Sequence, residues 1–163
     1  MSVDIYLKLS GIPGECEKQG HADEIEILSF SFGANQTGSF HKGGQGGGAG
    51  KASISDLNIM KEVDKSSPLL FQACATGRHI PEATIYSQKA GGNNAPVTYY
   101  EIKMTDLMVS SHQNSGSGGS DSLMETVTFN FARLDFVYTG QTKEGGKGAP
   151  VKAFFDVRKA EAG

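Results

Sequence analysis

Four histidines, two cysteines, a serine-rich loop and a glycine run are the residues whose types could do chemistry. His21, His41, His79 and His112 lie far apart, and none has a second histidine three or four residues away. That spacing is what sets two imidazoles around a metal on one element. Cys16 and Cys74 form no CxxC pair, and two thiols without suitably spaced histidines do not build a zinc site. They read as one exposed thiol in a polar loop and one packed thiol in a helix. Residues 43–51, GGQGGGAGK, end in the Gly-Lys of a phosphate loop. That loop needs glycine where Gln45 stands and a hydroxyl where Ala52 stands. It also needs a following helix to offer its amides, whereas a strand pattern follows. Gly44 to Ala49 fits a loose dinucleotide fingerprint without the strand–turn–helix setting that gives it meaning. Ser115 to Ser122 satisfies a GxSxG elbow in no register. No catalytic residue, metal or cofactor is expected.

The elements that would position any site are mostly strands. Val3, Ile5, Leu7 and Leu9 alternate with polar residues, and Gly11-Ile12-Pro13-Gly14 ends that strand. Residues 24–33 form a second strand, with a change of parity near Ile27–Leu28 and with Ser29 and Ser31 facing away from Phe30 and Phe32. Residues 34–50 contain almost no core formers and read as a long extended arm. One short helix is expected at about residues 67–76, capped by Ser67, opened by Pro68 and stopped by Gly77. Strands follow at 82–89 and 97–111, the second changing phase near Asp106, and residues 112–122 read as a small polar loop. The longest strand signal is Leu123 to Thr139. Val127, Phe129 and Phe131 give way to Leu134, Phe136 and Tyr138 on the opposite parity, which predicts a bulge or bend near Ala132–Arg133. Val151, Ala153, Phe155 and Val157 alternate in a last strand. The fold class is mainly β, a small barrel or tight sandwich of one domain over residues 1–163, built around the Leu123–Thr139 strand.

The chain has 163 residues, enough for one core, and a net charge of −3. Mixed charge gives phosphate no strong attraction, so nucleic-acid binding is not expected. No apolar run reaches membrane-span length, so no membrane insertion is expected. The opening MSVDIYLKLS lacks a basic and an apolar region, which reads as cytoplasmic synthesis and any export without a cleaved signal. Of the 163 residues 22 are glycine, gathered in loops between strands. Open strand edges and an arm without its own core favour an assembly module. A monomeric ligand-binding barrel is the alternative, and an enzyme ranks third.

The blocks MSVDIYLKLSGIPGE, HADEIEILSFSFG, PLLFQACATGRHIPEATI, YYEIKMTDLMVSS and ETVTFNFARLDFVYT, in this order, resemble the haemolysin-coregulated protein (Hcp) family. These are inner-tube proteins of the type VI secretion system. The resemblance implies a barrel of two packed antiparallel sheets with one helix alongside. It implies a homohexameric ring, stacking of rings, a spike protein at the tip, a contractile sheath outside, and small effectors carried in the channel. It implies no catalysis in the tube form, and secretion after a cytoplasmic stage. Thr37, Gly38, Phe40, His41 and Lys42 take the family's ring-stacking loop, and Phe32 and Phe136 take aromatic core positions. Ser29, Ser31, Gln113, Asn114 and Ser115 are the expected channel and effector contacts.

Overall fold

The computed structural model describes residues 2–36, 52–90, 95–144 and 146–163. The strands are β1 (Asp4–Leu9), β2 (Ile25–Ile27), β3 (Ser29–Ser31), β4 (Ala34–Gln36), β5 (Ala52–Ile54) and β6 (Leu57–Glu62). Helix α1 (Ser66–Thr76) precedes β7 (Ile80–Ala90), β8 (Pro96–Ser115), β9 (Met124–Gln141), β10 (Lys147–Asp156) and β11 (Glu161–Ala162). All pairings are antiparallel. The main sheet runs β11-β10-β9-β8-β7-β1-β2, and β6 leads from β9 to β3. β4 and β5 form a separate two-stranded sheet. The expected barrel is therefore not closed among the described residues. Curvature comes from strands that exchange neighbours, as β9 passes from β6 to β10.

β9 is the long spine expected. Its first half pairs with β6 through Leu57↔Phe129 to Glu62↔Met124, and its second half pairs with β10 through Arg133↔Asp156 to Gln141↔Lys147. The parity change at Ala132–Arg133 is the point where it changes neighbour. It is a bend rather than a bulge. Phe131↔Leu107 and Arg133↔Thr105 keep one register with β8, because β8 changes phase at the same level. There Asp106 adopts a left-handed backbone with φ 52°. The true register shift lies higher, between Val109 and Ser111. The parity change at Leu28 has the same origin, since β2 pairs with β1 and β3 pairs with β6. Leu28 itself is exposed and does not join the Phe30–Phe32 face.

Residues Leu7, Ile25, Ile59, Leu70, Ile85, Ile102, Met104, Val127 and Phe129 fill the interior. Phe32 and Phe136 meet at its margin, ring centroids 6.2 Å apart. Helix α1 closes one side through buried Leu70 and Ala73. Gly77 ends it in the left-handed conformation, φ 63°, as expected. The expected Ser67 cap is corrected. Ser66 already lies in the helix, and the Oδ1 of Asp64 accepts the Ser66 N–H at 2.9 Å. Ser67 Oγ accepts the Asp64 N–H at 3.0 Å, which ties the first turn to the chain entering it, while the N-cap position itself is Lys65 without a side-chain cap. Residues 112–115 are a second correction. They continue β8 instead of forming a loop, because each finds a partner on β9 from Val127 to Met124. No described helix is long and apolar enough to cross a membrane.

Candidate functional site: a polar sheet face over a buried ion network

Register assembles a face that sequence separation hides. Ser29 lies opposite Met60, Met60 opposite Thr126, and Thr126 opposite Gln113. One step along, Ser31 meets Asn58, Asn58 meets Thr128, and Thr128 meets Ser111. These two rows cross β3, β6, β9 and β8. Strand alternation puts them on one side, opposite buried Ile59, Val127 and Phe129. Ser115 sits above, opposite Met124, with Glu62 on that strand's other flank. The Thr128 hydroxyl donates to Asn58 Oδ1 at 2.5 Å. Beyond the rows, Asp56 accepts from Ser110 at 3.0 Å and from Asn130 at 2.9 Å.

Four of the five expected contact residues, Ser29, Ser31, Gln113 and Ser115, therefore share this face. Asn114 does not. It pairs with Glu125 and is on the opposite parity, because a strand turns successive side chains to opposite sides. Thr37, Gly38, Phe40, His41 and Lys42 lie outside the described residues.

Directly behind the rows is an ion network that sequence reasoning missed. Lys61 is 0 % exposed. Its Nζ donates to Glu125 Oε1, to Asp64 Oδ1 at 3.0 Å and to the Glu62 carbonyl at 2.9 Å, with Ser67 Oγ 3.3 Å away. Ser67 in turn donates to Glu125 Oε1 at 2.9 Å. His112 Nε2 meets Glu125 Oε2 at 2.9 Å, and Phe71 packs edge-on to that imidazole. A buried charge is tolerated only with such partners. The signal was readable: Lys61 shares the parity of Leu57 and Ile59, and Glu125 that of Val127 and Phe129. Opposite charges on two apolar faces should have been matched as a pair.

A second polar knot lies under residues 15–24. Tyr6 stacks on His21 at 4.3 Å, His21 Nδ1 meets Glu24 Oε1 at 2.9 Å, and Gln88 Nε2 donates to His21 Nε2 at 2.6 Å. Since the amide nitrogen can only donate there, Nε2 accepts and the Nδ1–H donates a hydrogen bond to Glu24 Oε1. Burial, with Asp4 adding, pushes the Tyr6 hydroxyl up to about 12. Cys16 is 5 % exposed, its thiol turned to Glu26, so the loop cysteine expected to be exposed is buried. Burial raises its ionisation range, which makes it a poor nucleophile. Cys74 is half-buried. No described serine, threonine or cysteine bonds to His21 or His112. No described group of three or more ligand-type side chains could hold a metal.

The geometry is that of an antiparallel sheet scaffold with one helix, and its polar rows lie on an extended sheet face. The family description "Type VI secretion system effector, Hcp" matches residues 6–138. The chain is 44 % identical over 160 residues to "Protein hcp1" of Pseudomonas aeruginosa, covering 98 % of each. It superposes on "Structure of a type six secretion system protein" with TM-score 0.91 and 29 % identity, covering 99 % of this chain and 100 % of that one. Against "crystal structure of Hcp1 from Salmonella typhimurium" the TM-score is 0.80 at 33 % identity, with 99 % of each chain covered. The chain belongs to the Hcp family of the type VI secretion system.

Proposed function

We propose that this chain is the structural subunit of a type VI secretion inner tube, acting as one domain over residues 1–163. It forms homohexameric rings that stack, and it is expelled by a contractile sheath behind a spike protein. It carries small effectors in the channel, where the Ser29, Ser31, Gln113 and Ser115 face meets them. Asn114 is left out of that contact set, and Thr37, Gly38, Phe40, His41 and Lys42 make the ring-to-ring contact. The subunit starts in the cytoplasm and is then secreted. Its role involves no reaction step.

The observation that carries this reading is the lower half of the sheet, together with the family match. Among the described residues, β10 has no partner strand on its second edge from Lys147 to Ala153. Val151 there is 68 % exposed, and Tyr138 opposite it is 47 % exposed. An open edge carrying apolar side chains is stabilised by a neighbour, and a second copy supplies one in a ring. Electron micrographs of the purified protein test this. Uniform rings with a central hole are expected, and a field of featureless single particles would refute it. For the cargo part, Ser115→Phe should lower effector co-purification while rings persist. Unchanged recovery of every effector would count against that face.

A further inference from the structure

We infer that β11 is a guard strand that closes the β10 edge to backbone pairing, so that a second copy meets this edge through side chains only. The inference rests on the assembly reading for the second copy alone, and the guard itself is judged without it. Residues 151–157, VKAFFDV, combine strong strand preference with no proline or glycine, and their one lysine and one aspartate cancel. Such a segment on an exposed edge is a template for open-ended strand addition. β11 covers it from outside, with Phe155 opposite Ala162 and Asp156 opposite Glu161. Gly163 continues the pairing: the Phe154 N–H donates to its carbonyl at 2.7 Å, and its own N–H donates to the Phe154 carbonyl at 3.1 Å. These bonds fix which groups of β10 point outward. Phe154 faces β11, so alternation turns Asp156, Lys152 and Pro150 the same way, whereas the Val157 N–H goes to Ala132 on β9 at 2.8 Å. By the same rule Glu161 turns its N–H to β10 and Ala162 turns its own outward. β11 takes Phe154 and Asp156, and Pro150 has no N–H to offer. Among the described residues 150–156, that leaves Lys152 as the one outward amide without a partner, on a residue whose charge discourages edge pairing. The guard is also well fastened. Gly163 lies against the Phe154 ring with no room for a side chain, and the Arg133 guanidinium sits 4.1 Å over that ring. In the turn between β10 and β11, Asp156 Oδ1 accepts the Lys159 N–H at 2.9 Å, and Ala160 is held in a left-handed backbone with φ 52°. The backbone is thus withheld while the exposed Val151 side chain stays available.

The test compares the full-length protein with two variants. Glu161→Pro/Gly163→Pro removes the N–H groups that β11 turns to β10, and Ala162→Thr alters the same strand at its outward position. All three are incubated at neutral pH and followed by thioflavin fluorescence and low-speed pelleting. The double variant should gain both signals while its denaturant midpoint stays level with that of Ala162→Thr. The unaltered protein and Ala162→Thr should gain neither. A double variant as quiet as the unaltered protein overturns the inference, and so does equal aggregation of Ala162→Thr. Hydrogen exchange on the unaltered protein keeps the test valid if the double variant fails to fold. The Phe154 and Gly163 amides should be protected and the Lys152 amide should exchange fast, in single subunits and in the assembly alike. Protection of Lys152 on assembly, or loss of protection at Gly163, overturns the inference. A single-subunit mass for the unaltered protein at every concentration sinks the assembly reading and leaves the guard to the double variant. Rings of the expected mass from a double variant that never aggregates sink the guard alone.

Discussion

The two halves of β9 differ in what covers them. From Glu125 to Phe129 the strand lies between β6 and β8, and alternate side chains are buried against the core and the Lys61 network. From Leu134 to Tyr138 it lies between β8 and β10, and cover thins until Tyr138 and Val151 stand in solvent. The same strand thus builds its own fold in one half and offers surface in the other. The first half is buried on both flanks, whereas the second carries exposed apolar side chains among the described residues.

The sharpest way to break this contrast is at the network. Lys61→Met leaves Glu125 buried without its cation, and should cost about 3–5 kcal/mol in denaturant unfolding at fixed protein concentration. Adding Glu125→Leu should recover part of that cost, and strict additivity of the two losses would show that the pair is not coupled. Next comes one strand tested at two places. Phe129→Ala should cost about 3–5 kcal/mol. Tyr138→Ala should change single-subunit stability by less than about 1 kcal/mol and act instead on assembled mass. Equal losses at both sites would erase the contrast.

A smaller effect concerns the turn that closes the uncovered half. Asp156 Oδ1 accepts the Lys159 N–H at 2.9 Å, and that bond holds its carboxyl below the ordinary carboxylate range. A depressed folded value means that its contribution is present at neutral pH. It is lost as pH falls below about 4 and through the folded value. The gap between the unaltered protein and Asp156→Asn in denaturant midpoint should therefore be present at pH 7 and shrink toward pH 3. A constant gap would remove the carboxylate from the account. Smallest of all, iodoacetamide at pH 8 should label half-buried Cys74 before buried Cys16, with mass spectrometry following both. Preferential labelling of Cys16 would mean that its loop opens readily.

Much of this was legible in the chain. The period-2 runs marked the strands, Gly77 marked the end of the helix, and the parity change at Ala132–Arg133 marked the point where β9 changes neighbour. Residues 112–115 were misread because His, Gln, Asn and Ser have little intrinsic strand preference, and pairing with β9 overrides it. Asn114 was grouped with its chain neighbours because adjacency in sequence is not adjacency on a sheet face. The rows through Asn58, Met60, Thr126 and Thr128 depend on register between strands far apart in the chain. Local pattern carries no information about that. Lys61 and Glu125 were different, since each stood visibly on an apolar face and only their pairing was missed.

Light scattering coupled to size exclusion, run across a wide concentration range, decides whether further copies of this chain complete the exposed half of the sheet. Six times the 17.2 kDa chain mass is expected, shifting toward smaller species when Val151→Asp charges the open edge. A 17.2 kDa particle at every concentration would contradict it.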